Sequence, residues 1–215
     1  MKGVIFDMDG VLVDNMSMHE EAFGIFCQKY GVDNWLEILR RSAGMGNDEI
    51  MRAIIPAEII EKVGLDALSF EKEALYREIY AKTIKPVDGL VDFLESLKSQ
   101  GLKIAVGSSG CKLNVEFVLE KCGITKYFDA LVYSELVTRC KPDPEIYLTA
   151  ISKLGLDASE CVIFEDARAG IIAAHAAGVE RVVGVATTLT REVIERECDV
   201  ERVIESYREI TGSFC

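Results

Sequence analysis

Short apolar runs that end on polar or small residues recur at Val4-Ile5-Phe6, Ile104-Ala105-Val106, Ala130-Leu131-Val132-Tyr133, Val162-Ile163-Phe164 and Val182-Val183-Gly184-Val185. Runs this short and this rich in β-branched residues predict strands buried on both faces. From residue 90 onward they alternate with stretches of helical period. Leu90, Phe93, Leu94 and Leu97 share one face over 90–100, where Gly101 ends the helix; Val115, Val118, Leu119 and Cys122 do the same over 111–122 before Gly123. The alternation predicts βαβ units around a parallel sheet, an α/β fold.

Residues 15–85 have a different texture, with long helical patterns and no convincing strand. His19, Phe23, Phe26 and Tyr30 share a helical face, and a second helical stretch runs from Phe70 to Lys82. Asp14-Asn15 marks the departure from the first strand, and Pro86 with Asp88-Gly89 marks the return. The expected organisation is therefore an α/β core built from residues 1–14 and 86–215, interrupted by an all-helical lobe over 15–85. No internal repeat or low-complexity segment suggests otherwise.

Composition narrows the function. The chain has 215 residues, 49% apolar and 28% charged, which is ordinary for a globular protein of one large domain or a core with a modest insertion. A net charge of −12 disfavours nucleic acid as a partner, and a phosphate site on so acidic a protein needs a local cation or fixed N–H donors. The seven cysteines, Cys27, Cys111, Cys122, Cys140, Cys161, Cys198 and Cys215, form an odd set without a C-x-x-C pair. They are expected to be free thiols, most of them small core residues, in a reducing cytoplasm. Val4-Ile5-Phe6 is too short for a signal-peptide core, and no apolar stretch reaches membrane-spanning length, so a cytoplasmic protein with no membrane partner is expected.

Candidate chemistry lies where the apolar runs end. Asp7-Met8-Asp9-Gly10 places two carboxylates, two residues apart, just beyond the first strand. In an open parallel sheet that position faces the ligand crevice, and Gly10 lets the chain turn sharply, so one carboxylate can attack while the other handles protons. A calcium loop is a poor fit, because Val11, Leu12 and Met18 stand where an EF-hand needs an oxygen ligand, Gly and Glu. An ordinary acidic turn stays open until the other strand ends are considered.

Ser108-Ser109-Gly110 follows the second run just before a helix, where hydroxyls and backbone N–H groups hold phosphate oxygens. Lys141, ahead of Pro142 and Pro144 and of a helix running from Glu145, offers a point charge for phosphate or for an aspartate, although taken singly it reads as a solvated surface residue. Glu165-Asp166 ends the fourth run before a Gly-punctuated helix. Four carboxylates at two strand ends form a hard-oxygen site suited to Mg²⁺, and such an ion explains how acidic walls tolerate a phosphate dianion.

Together, Asp7-Met8-Asp9-Gly10-Val11, Ser108, Lys141 and Glu165-Asp166 resemble the four successive motifs of the haloacid dehalogenase superfamily of phosphohydrolases, in the same order and over essentially the whole chain. The helical insertion resembles the four-helix cap of the subgroup that contains β-phosphoglucomutases and phosphoglycolate-type phosphatases. The resemblance implies a doubly wound, Rossmann-like core with a mobile cap and a Mg²⁺-dependent enzyme acting on a small phosphorylated metabolite. It implies Asp7 as nucleophile forming an aspartyl-phosphate, Asp9 as general acid/base, and Ser108, Ser109 and Lys141 as phosphate holders. The metal ligands it implies are Asp7, Asp9 through its backbone carbonyl, and Asp166, with Glu165 a ligand or a helper beside them. Asp9 speaks against the dehalogenase branch, whose chemistry needs no leaving-group acid.

In the cap, His19 resembles a histidine near the cleft, with packing beside Phe23 as the plain alternative. Lys72-Glu73-Ala74-Leu75-Tyr76 resembles a K-x-x-x-Y pattern in which Lys72 contacts substrate, with a solvated helix lysine as the alternative. Asn47, in Gly44-Met45-Gly46-Asn47-Asp48-Glu49, stands where β-phosphoglucomutases carry an Arg that grips the second phosphate, and Ala167 replaces the usual Ser after the acidic pair. A neutral amide cannot supply a bidentate charged clamp, so a phosphatase is favoured over a mutase unless Arg40, Arg41 or Arg52 substitutes. A non-catalytic Mg²⁺- or phosphate-binding domain is disfavoured because every motif position that performs chemistry is filled. A monomer or weak homo-oligomer is expected.

Overall fold

The computed structural model describes residues 1–210. The chain runs through β1 (Gly3–Phe6), α1 (Met16–Tyr30), α2 (Trp35–Arg41), α3 (Asn47–Ile54), α4 (Ala57–Val63) and α5 (Leu65–Tyr80). It continues through α6 (Leu90–Ser99), β2 (Lys103–Gly107), α7 (Lys112–Lys121), β3 (Ala130–Val132) and α8 (Glu145–Leu154). The remainder is β4 (Cys161–Glu165), α9 (Arg168–Ala176), β5 (Arg181–Val185), α10 (Arg191–Glu197) and β6 (Arg202–Ile204).

The six strands form one parallel sheet in the order β3-β2-β1-β4-β5-β6. The chain winds outward from β1 in both directions, which makes this a doubly wound α/β fold with its switch point between β1 and its neighbours. Period-two alternation explains why both faces are covered. Val4 and Phe6 point into a cluster with Leu90, Phe93, Leu94 and Leu97 of α6 and Val115, Val118 and Leu119 of α7, whereas Ile5 points into a cluster with α8 and α9. Phe6 of β1 stacks on Phe164 of β4, ring centroids 4.9 Å apart, and Phe93 and Tyr207 close around the pair. Each such fully buried aromatic contributes on the order of 1.5–3 kcal/mol relative to exposure.

The helices α1–α5 lie between β1 and α6 in sequence and carry a core of their own, with Phe23, Phe26, Cys27, Leu39, Met51, Ile54 and Leu68 buried together. Ala22, Tyr76 and Tyr80, on α1 and α5, belong instead to the cluster under the sheet and dock the insertion onto the core.

Several expectations need correction. The insertion has five α-helices rather than four, and the stretch read from Phe70 starts at Leu65. A sixth strand, β6, was hidden because three residues beginning with an exposed Arg202 carry only two buried side chains. Among the described cysteines all are free, but only Cys27 and Cys161 are buried; Cys215 lies outside the described residues. Lys141 and Lys72 are not solvated: both are buried. Among the described residues no helix is long and apolar enough to cross a membrane.

Candidate active site

The site forms at the carboxyl ends of β1 and β4, where the fold leaves its crevice. Asp7 follows β1 directly, its N–H donating to Phe164 O at 3.0 Å, so the end of β1 is tied to the end of β4. The chain then makes a tight loop in which Leu12 N–H donates to Met8 O and Gly10 N–H to Val13 O. Gly10 sits at φ +76°, and a Cβ there would lie 2.0 Å from Asp166 Oδ2, so both the turn and the approach of Asp166 require glycine. Tyr207, from the far end of the chain, donates its hydroxyl to Val11 O at 3.1 Å and anchors the loop.

Carboxylate oxygens of Asp7, Glu165 and Asp166 lie within 4.8 Å of one another, all buried. Like charges this close need a cation, and Lys141 supplies one. Its ammonium lies 2.7 Å from Asp7 Oδ1 and 2.7 Å from Glu165 Oε1, at a fully buried position. Burial lifts Asp7 and Lys141 restrains the rise, while Glu165 and Asp9 add to it, and the carboxyl settles at about 7. Burial, with Glu165 and Asp7 nearby, pushes Asp166 well above the usual carboxylate range. Lys141 is held firmly protonated, because Asp7 and Glu165 outweigh its desolvation.

Glu165 spends its acceptors inside the protein. Oε1 takes Lys141 and the hydroxyl of Tyr147 at 2.6 Å, and Oε2 takes the backbone N–H groups of Asp166 and Ala167 at 2.9 and 3.1 Å. Asp7 and Asp166 are therefore the members of the cluster best able to hold a metal, with Glu165 as the group that fixes Lys141. Asp7 and Asp166, buried side by side and both held above the ordinary carboxylate range, form a hard-oxygen pair of the kind that takes a divalent cation.

Asp9 stands apart from that cluster. Asn15 donates to its Oδ1 at 2.5 Å, and His19 Nε2 lies 3.6 Å from the same oxygen. Desolvation favours the neutral form, but the hydrogen bonds of His19 and Asn15 and the charges of His19 and Lys72 prevail, and the carboxyl sits below its ordinary value. His19 is positioned by stacking on Tyr76, centroids 4.0 Å apart and planes 5° from parallel, and it lines the cleft together with Phe23. Tyr76 in turn accepts Asn15 Nδ2 at 2.6 Å. Asn15 and Tyr147 escaped sequence reasoning. No spacing rule links either one to the carboxylate it serves.

A cleft lies between the insertion and the core. Asp7, Asp9, Asp166, Ser109 and Gly110 line it from the core, and His19, Phe23, Leu39, Asn47, Lys72 and Glu73 line it from the insertion. Ser108 and Lys141 are buried and lie outside that lining. The Ser108 hydroxyl accepts Gly110 N–H at 2.9 Å, which leaves its own proton to give. Ser109 donates instead to Gly44 O in the insertion, at 2.9 Å, and so ties the two parts together. Arg40 pairs with Glu20 and Arg41 with Glu37, both exposed, and Arg52 is exposed too; none of the three lines the cleft.

The family model described as haloacid dehalogenase-like hydrolase matches residues 4–185. Among curated relatives, the phosphorylated carbohydrates phosphatase of Thermotoga maritima is 33% identical over 192 residues, covering 88% of this chain and 87% of the relative. The fructose-1-phosphate phosphatase of Escherichia coli is 33% identical over 182 residues, covering 84% and 94%. Among solved structures, the β-phosphoglucomutase of Clostridium difficile superposes with a TM-score of 0.83 at 26% identity, covering 98% of this chain and 93% of that one.

Proposed function

The chain belongs to the haloacid dehalogenase-like hydrolases, and from that premise we propose that it is a Mg²⁺-dependent phosphatase of a small phosphorylated sugar or similar phosphomonoester. The observation that carries the reading is Lys141, buried and shared at 2.7 Å between Asp7 and Glu165 beside Asp166. It neutralises charge that would otherwise bar a phosphate dianion from a carboxylate nucleophile.

In this reading helices α1–α5 are the cap, closing over the substrate. An Asp7 oxygen attacks phosphorus, forming an aspartyl-phosphate as the bond to the leaving oxygen breaks. Asp9 gives that oxygen a proton; the incoming phosphate dianion raises the Asp9 carboxyl by like-charge proximity and so helps it hold one. Asp9 then takes a proton from the water that hydrolyses the acyl phosphate, returning Asp7 and releasing inorganic phosphate. Asn15 and His19 orient Asp9, while Lys141 and the Ser108 hydroxyl steady the phosphoryl oxygens. Asp7, Asp166 and the Asp9 carbonyl would hold Mg²⁺, which supplies further positive charge to the transferring group.

A phosphosugar mutase is the second reading, favoured by the likeness to the β-phosphoglucomutase structure. The cleft lining argues for the hydrolase, because it includes Asn47 and no arginine, while Arg77 and Arg139 meet Asn47 only in the adjoining cavity. Product analysis with β-glucose 1-phosphate separates the two. Free phosphate is expected; glucose 6-phosphate would replace this reading with the mutase.

A further inference from the structure

The wall of the cleft contributed by α5 carries a buried ion pair that the chemistry above does not use. Glu73 is buried and lines the cleft. One of its oxygens pairs with the ammonium of Lys72, and the other accepts the side-chain amide of Asn114 at 2.6 Å. Asn114 belongs to α7 of the core, and its carbonyl accepts from Arg77 at 2.7 Å, which fixes the amide with its NH₂ toward Glu73. Lys72 lies over the Phe23 ring, 4.6 Å from its centroid. Burial would raise Glu73, but Lys72 and His19, together with the hydrogen bonds from Lys72 and Asn114, hold it below the ordinary range, so it remains a carboxylate.

An ionised carboxylate offers about four acceptor sites, and Lys72 and Asn114 engage two. What is left can take hydroxyl donors and repels anions. Among the described residues that line the cleft, Lys72 is the one lysine and there is no arginine, and its charge is already matched by Glu73. A second phosphate or a carboxylate seated in this cleft would meet Glu73 there, whereas Arg77 lines the adjoining cavity and is turned to the Asn114 carbonyl; that juxtaposition costs affinity.

We propose that Glu73, held by Lys72 and Asn114, is a specificity-determining residue that accepts hydroxyls of a polyol monophosphate and rejects a second anionic group. The inference rests on the cleft being a phosphomonoester site, and its test is a binding experiment so that it does not depend on turnover. In an Asp7→Asn background with Mg²⁺, isothermal titration calorimetry compares fructose 1-phosphate with fructose 1,6-bisphosphate. The monophosphate is expected to bind about tenfold more tightly, and adding Glu73→Gln is expected to narrow that ratio about tenfold. A merely structural role would weaken both ligands in parallel, and a ratio unchanged within about twofold overturns the proposal. So does tighter binding of the bisphosphate by the Asp7→Asn protein. Should Glu73→Gln fail to fold, Asn114→Ala, which removes the donor orienting Glu73, is read by the same ratio. A parent protein that hydrolyses no phosphomonoester defeats the phosphatase reading, while the binding ratio still decides the role of Glu73.

Discussion

The carboxylate of Glu165 occupies the place that a side chain on Gly170 would fill: a Cβ at Gly170 would lie 1.6 Å from Glu165 Oε1. Gly170 lies in α9, one turn beyond the strand that carries Glu165, and its missing side chain is what lets the carboxylate tuck in to meet Lys141, Tyr147 and two backbone N–H groups. Gly170→Ala should therefore displace an acceptor that four donors depend on. A loss of about 1–3 kcal/mol in stability, the usual range for overpacking, is expected in urea denaturation, together with a fall in turnover as Lys141 loses its anchor. Stability within about 0.5 kcal/mol of the parent, the scatter of neutral surface changes, would contradict this account.

Asp7→Asn should keep the fold yet lower turnover by several orders of magnitude, because an amide is not a competent nucleophile. Asp9→Asn should slow the reaction roughly 10²–10⁴-fold, the range of general acid–base catalysis. Steady-state kinetics with p-nitrophenyl phosphate measures both. Near-parental activity of the Asp7 variant would remove it from the chemistry.

Metal dependence should carry a pH signature of definite sign. In chelated protein the Asp7 carboxyl sits at about 7, so the native state keeps a proton that the unfolded chain gives up near pH 4. The stability contributed by that group is present below about pH 4 and is lost as pH rises toward 7. Mg²⁺ favours the deprotonated carboxylate and opposes the loss. Thermal unfolding with Mg²⁺ or with EDTA should show a larger metal-induced rise in Tm at about pH 7.5 than at about pH 5, on either side of the Asp7 transition. Equal shifts at the two pH values would dissociate Asp7 from the metal.

The three arginines that could stand in for a phosphate clamp should be dispensable. Arg40 and Arg41 are exposed and paired with Glu20 and Glu37, and Arg52 is exposed and outside the cleft lining. Alanine at each should leave kcat/KM for a hexose monophosphate within about threefold of the parent, as for solvent-exposed ion pairs worth under about 1 kcal/mol. Loss of bisphosphate-dependent conversion in any one of them would mark a relocated clamp and a mutase.

The strand ends were the most legible part of the molecule, because Asp7, Ser108 and Glu165 each follow a short run without polar residues and rich in Val and Ile, and a parallel sheet gathers such ends on one edge. Lys141 was legible as a motif residue but not as a buried one, since burial depends on Asp7 and Glu165 arriving from 134 and 24 residues away. Lys72 misled in part for the same reason: the ring beneath it comes from Phe23 on another helix, whereas its ion partner Glu73 is the next residue, and an adjacent Lys-Glu pair on a helix looks solvated until that ring is placed. Asn15, Tyr147 and Asn114 act through single side-chain hydrogen bonds. Such bonds leave no periodic trace in the chain.

The insertion departs after the loop that follows β1 and returns at Val87, whose N–H donates to Leu12 O at 2.9 Å, so its two crossings run side by side. A segment whose ends meet in this way can be lengthened, shortened or exchanged without moving the sheet beneath it. If the proposed reading holds, the carboxylates at the strand ends and the helices that would choose which molecule reaches them are thus separable in descent, and one inherited core can serve many diets.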